Sequence, residues 1–271
     1  LPVTFSNQIQ ICFRQKSYYI MVMSEQKAAS EKFAQLIDSK YSDYLNVIGD
    51  CKDICYYFID GFSSHPDKEP IIETAIRVQR LTLEYIESIL CVLRQGFITQ
   101  AIVLLRSLFE LSNLYTYVYM DEEHFKKWQK EKKIKPNIIR RTLKKQGFDP
   151  GQKTYGDLSK FTHANYEFIS EHEALNALAP VNDMQKLMIP HCMIDMMRFL
   201  MRISLVSCKI YGEHVEKAED IIRMKNEELD HLRENVLQLD EKQARSEEEY
   251  SEFKKLLQRI KTRHFEEEDR T

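Results

Sequence analysis

The chain has 271 residues, a formal net charge of −3, and only seven glycines and seven prolines. So few turn formers exclude an all-β sandwich, which needs a turn about every 8–12 residues. They also exclude collagen-like and Pro/Gly-rich disordered chains. With 43% hydrophobic and 30% charged residues, the expected class is all-α: an antiparallel helical bundle followed by a long C-terminal coiled-coil helix.

Residues 1–23 read as an unstructured extension. Arg14 and Lys16 precede only a short apolar run with no small-residue cleavage site, so a signal peptide is not expected. Met23-Ser24 reads as a start, with Ser24 as a helix N-cap. The bundle is expected over 24–212. Apolar residues at Phe33, Ile37, Tyr41, Tyr44, Ile48, Cys51, Cys55 and Phe58 recur at spacings of three and four, which predicts one long helix over 25–60. A second helix is predicted over 71–94, closed by Gly96 as the residue just past its end. The third, 98–120, is apolar nearly all round and belongs at the centre of the bundle. Its Gln100, Arg106, Glu110 and Asn113 argue against a membrane span. None of the six cysteines forms a C-x-x-C pair, and a reducing cytosol is the expected compartment.

Between His124 and Gln146 stand ten Lys/Arg and one acidic residue, Glu131, a local charge of +9 in an acidic chain. Pro136-Asn137 divides this segment into two short helices, and Gly147–Gly151 is a turn. Helix signals resume after Thr154 and at Ser170-x-x-Glu173, a capping-box pattern. A further helix runs from Asp183 to Tyr211 through Pro190. Its six methionines, Met184, Met188, Met193, Met196, Met197 and Met201, read as adaptable core filling.

From Val215 the period changes to seven. The a positions are Val215, Ile222, Leu229, Val236, Gln243, Tyr250 and Leu257; the d positions are Ala218, Lys225, Leu232, Leu239, Ser246, Phe253 and Ile260. Eleven of these fourteen are apolar, and residues 213–252 carry fourteen acidic against six basic side chains. The expectation is a coiled coil over 213–264 joining subunits into a homo-oligomer through 215–260, ahead of an acidic tail at 265–271. The competing reading is a single helix docked on its own bundle.

Two polar groups interrupt the apolar pattern. Arg106 and Glu110 lie four apart on the central helix, in the weaker i, i+4 order, so they call for partners from another helix. Ser159 and His163 lie four apart in Tyr155-Gly156-Asp157-Leu158-Ser159-Lys160-Phe161-Thr162-His163. Neither a serine-hydrolase elbow nor a Gly-rich nucleotide loop is present. The one E-x-x-H match, Glu228 to His231, does not make a di-iron set, so no metal or cofactor is expected. In the basic segment, Lys126, Lys127, Lys130, Lys132, Lys133, Arg140 and Arg141 are candidate phosphate contacts, with Phe125 and Trp128 for base stacking.

The run Ala101–Glu110 (AIVLLRSLFE), followed about fifty residues later by YGDLSKFTH, resembles a family of uncharacterised prokaryotic helical proteins that share an R-S-x-x-E helix and a later Y-G-x-L-S-x-x-x-H segment. The resemblance covers roughly 70–210. It implies a fold similar to the HEPN group, several of which are metal-independent ribonucleases of bacterial toxin and defence systems. The usual Arg-then-His site of that group has a match only at Arg259 to His264. The resemblance therefore implies that a catalytic site would combine Arg106, Glu110, Ser159 and His163. A non-enzymatic scaffold assembled through the coil is the alternative.

Overall fold

The computed structural model describes residues 27–64, 69–131, 133–148, 150–160, 183–215 and 219–268, with side chains of the last helix described to Arg245. Nine helices are found among them: α1 (27–40), α2 (Ser42–Ser63), α3 (Pro70–Arg94), α4 (Ile98–Tyr119), α5 (Glu122–Glu131), α6 (Pro136–Lys145), α7 (Gln152–Lys160), α8 (Asp183–His214) and α9 (Glu219–Glu268). The expected extension 1–23, the Ser170–Glu173 capping box and the end of the acidic tail, 269–271, lie outside the described residues.

The helix starts and stops have local causes. Pro70 and Pro136 each sit at the first turn of a helix, where a missing N–H costs nothing. Gly96 ends α3 at φ 82°. The Gly96 N–H donates to the Leu93 carbonyl at 2.9 Å and the Phe97 N–H to the Val92 carbonyl at 2.9 Å, which is a Schellman cap. Gly147 ends α6 at φ 83° in the same manner, with Phe148 donating to Leu143 at 3.0 Å. The predicted single helix over 25–60 is bent at Tyr41, whose φ of −113° and ψ of 25° leave the helical region. The buried Tyr41 ring meets the Tyr44 ring edge-on at 5.8 Å. Hydrogen bonds from Tyr41 to Ile37 and from Leu45 to Tyr41 still span the bend.

α4 occupies the centre, as its all-round apolar character requires. It packs against α3, α5, α6, α7 and α8. α2, α3 and α8 complete the main bundle, filled by residues such as Phe58, Phe62, Ile86, Leu93, Leu105 and Phe109. Met193, Met196 and Met197 are fully buried, with Met188 and Met201 packed beside them. A buried polar cluster links three helices: Gln79 donates to Ser207 at 3.0 Å, and the Ser207 and Tyr115 hydroxyls lie 3.0 Å apart. Among the described residues no helix is long and apolar enough to cross a membrane.

The C-terminal helix departs from expectation. α9 is not a free coiled coil; it packs on α8 and α2 of its own chain. The seam positions Leu229, Leu232, Val236 and Leu239 are buried there, and Ile222 packs against the core. Lys225, a polar d position, places its ammonium 2.8 and 3.0 Å from the Glu228 carboxylate oxygens and 4.3 Å from the Tyr57 ring centroid on α2. Arg198 of α8 pairs with Asp240, and Lys242 reaches Asp43 of α2 at 3.5 Å. A heptad stripe is an apolar stripe of a fixed width, and a two-helix groove in the same chain satisfies it as well as a second chain does.

Candidate functional site

Arg106, Glu110 and Asn113 recur at four and three residues along α4 and share one face of it. That face meets α6 and α7. The turn between these two helices decides how closely α7 approaches. Gly151 has φ 66°, and a Cβ at that position would lie 2.8 Å from the Phe109 ring. Only glycine allows both the left-handed backbone and the close approach. The Tyr155 N–H then donates to the Gly151 carbonyl at 2.8 Å, opening α7 with Tyr155 in its first turn.

Tyr155 is thereby set among cations. The Arg140 guanidinium lies 3.6 Å from its ring centroid and the Arg106 guanidinium 5.2 Å. Arg106 donates through Nη2 to the Tyr155 hydroxyl at 3.4 Å and through Nε to Glu110 Oε1 at 3.3 Å. Burial works to raise the Tyr155 phenol, but a hydrogen bond with Ser159 and the charges of Arg106 and Arg140 outweigh it and hold the phenol below its ordinary value. Behind this group, Asn113 donates to the Pro150 carbonyl at 3.4 Å and accepts from Arg202 at 2.8 Å, tying α4 to both the turn and α8.

Three of the four expected catalytic residues, Arg106, Glu110 and Ser159, meet around Tyr155. The fourth, His163, lies outside the described residues. The requirement that the Arg106–Glu110 pair find a partner on another helix is met by Tyr155. The pair is half-buried rather than core: the Glu110 side chain is 37% exposed. Tyr155 is the member that reasoning from the sequence did not assign. Its signal was present, because Tyr155 and Ser159 are four apart on one helix face, but Tyr155 reads as packing until the arginines are placed.

The basic segment forms α5, α6 and the connection between them, fixed on α4 by Phe125, Ile134, Ile139 and Leu143, all buried. Phe125 is therefore a core residue and not a stacking platform. Trp128 is half-buried beside it, with ring centroids 6.4 Å apart. Lys126 pairs with Glu122 at 2.8 Å and Lys127 with Glu131 at 4.0 Å. Lys130, Lys133, Arg141, Lys144 and Lys145 are exposed and form no ion pair among the described residues. Lys132 is outside them. Arg140 turns inward to Tyr155. Glu228, half of the E-x-x-H match, holds Lys225.

Comparison of this chain with protein-family models, with curated proteins and with solved structures gave no match. Of the resemblance drawn from the two motifs, what stands is that the protein is all-helical.

Proposed function

We propose that this protein binds nucleic acid along the basic face of α5 and α6. The observation that carries the reading is the combination of a net positive set of solvent-exposed side chains on α5 and α6 with an apolar underside packed on the central helix. A connector that merely offset the acidic α9 would not need that fixed geometry. A set of cations held on a rigid support loses little entropy when it meets a phosphate backbone, and each phosphate neutralised releases condensed counterion. Lys130, Arg141, Lys144 and Lys145 carry the reading best, since no carboxylate among the described residues neutralises them.

The test is the binding of a labelled uridine-only RNA followed by fluorescence anisotropy across a salt series. Wild-type affinity should fall steeply with salt. Replacing Lys130, Arg141, Lys144 and Lys145 together by Gln should weaken binding and flatten the log–log slope by roughly 0.7 for each phosphate left without its cation. Unchanged affinity in that variant removes the face from the mechanism.

The cluster around Tyr155 supports a second activity, metal-independent cleavage of the bound RNA. Two guanidiniums favour negative charge on a phosphate, and an acidified phenol is a proton carrier. In this reading Arg106, committed to Glu110 and Tyr155, positions the phenol. Incubation of wild-type protein with the same RNA in EDTA should yield cut product, and neither Tyr155→Phe nor His163→Ala should yield any. Intact RNA with the wild type leaves the binding reading alone.

A further inference from the structure

A cavity of about 300 Å³ opens between α3, α4, α5, the α5–α6 connection and α6, within the usual range for small-ligand sites. Its apolar lining runs from the buried Ile134 and Ile139 to the half-buried Tyr85, Leu114 and Trp128. Three charged side chains join them: Glu110, Lys133 and Arg140. The lining thus offers flat aromatic and aliphatic surface, one carboxylate, and two cations.

The carboxylate is the informative group. Glu110 takes its one hydrogen bond, from Arg106, on Oε1. Its Oε2 accepts no hydrogen bond among the described residues, and more than a third of the side chain is exposed. Of the neutral polar groups in the lining, Asn113 has its amide engaged by Pro150 and Arg202, and the Tyr85 hydroxyl and Trp128 indole N–H stand beside it. A ligand entering here meets a carboxylate acceptor with spare capacity at the polar end of the cavity.

We infer that this cavity takes a guanine base carrying a phosphate. Guanine is the base whose pairing edge presents two adjacent donors, the ring N1–H and the exocyclic amino group, and a carboxylate accepts such a pair in parallel. Adenine offers an unprotonated ring nitrogen beside its amino group, which would face the carboxylate lone pairs. Cytosine and uracil also place an acceptor where guanine places a donor. The indole of Trp128 supplies a face for the base, as in recognition of unpaired RNA bases. Lys133 and Arg140 supply charge for the phosphate. The inference rests on the nucleic-acid reading, because Lys133 belongs to the same basic face; it adds base identity to a surface that by itself reads only charge.

Trp128 is the chain's single tryptophan, so intrinsic fluorescence reports on this cavity. Intact protein titrated with GMP should show saturable quenching. AMP should need about ten-fold or more higher concentration, the discrimination of one bidentate contact, and inorganic phosphate should leave the emission unchanged. Glu110→Gln, checked for wild-type helical content, should lose the preference for GMP over AMP. A guanine-containing single-stranded RNA that quenches at lower concentration than GMP identifies RNA as the source of the base; GMP quenching more tightly identifies the free nucleotide. Equal quenching by GMP and AMP, or none by GMP, overturns the inference. That failure is separable from failure of the nucleic-acid reading, which is judged on uridine-only RNA.

Discussion

Tyr155 shows how a residue acquires chemistry from its neighbours. Six other tyrosines, Tyr41, Tyr44, Tyr115, Tyr117, Tyr119 and Tyr211, are raised, burial being the first cause in each; for Tyr41 the value reaches about 12. Tyr155 is also desolvated but has two guanidiniums beside it and moves the other way. A folded value below the unfolded one, about 10, adds stability where the phenolate exists, and that contribution is lost as pH falls through the folded value. Wherever the phenol is protonated in both states it contributes nothing by this route. An alkaline absorbance titration should therefore show a phenolate fraction appearing ahead of the main rise in the wild type. Tyr155→Phe should delete that early fraction, and superimposable curves would show that the arginines do not act on it. Glu110 and Arg106 were legible in the sequence as charges out of place on an apolar helix. Tyr155 was not, because an aromatic residue on a short helix fits packing equally well, and the cations that distinguish it come from α4 and α6.

At the scale of elements, α9 is the instructive case. A seven-residue repeat of apolar positions specifies a stripe, and the stripe does not say which surface covers it. Here α8 and α2 cover it through Leu239, and the polar seam residue Lys225 is held by Glu228 and Tyr57. Leu232, 5% exposed, should cost about 2–5 kcal/mol when cut to Ala, through reduced burial and the cavity left behind. Because the partner surface is in the same chain, the accompanying fall in melting temperature should be the same at low and high protein concentration. A fall that shrinks as concentration rises would mean that this part of the seam binds a second subunit. If the fall is independent of concentration, the oligomer expected through 215–260 would have to draw on Tyr250, Phe253, Leu257 and Ile260, the apolar seam positions beyond Arg245. The helix boundaries themselves were readable, since Pro70, Gly96, Pro136 and Gly147 act through local backbone geometry. The bend at Tyr41 was not, because the apolar spacing runs through it without interruption.

For the whole molecule, the separation of charge is the organising feature. The acidic surface of α9 lies along α8 and α2, while the basic face of α5 and α6 stands on α4. The charge excess was plain in the sequence; what the sequence could not supply was that Phe125 and Leu143 are buried and fix the segment on α4. If the face binds nucleic acid, crosslinks must map there. Ultraviolet crosslinking of a single-stranded RNA to the intact protein, followed by identification of the modified peptides, tests this directly. Crosslinks are expected within residues 122–148, suppressed at high salt and by the Lys130, Arg141, Lys144 and Lys145 to Gln variant. Crosslinks confined to other helices, or none under conditions where the protein is folded, would contradict nucleic-acid binding at this face.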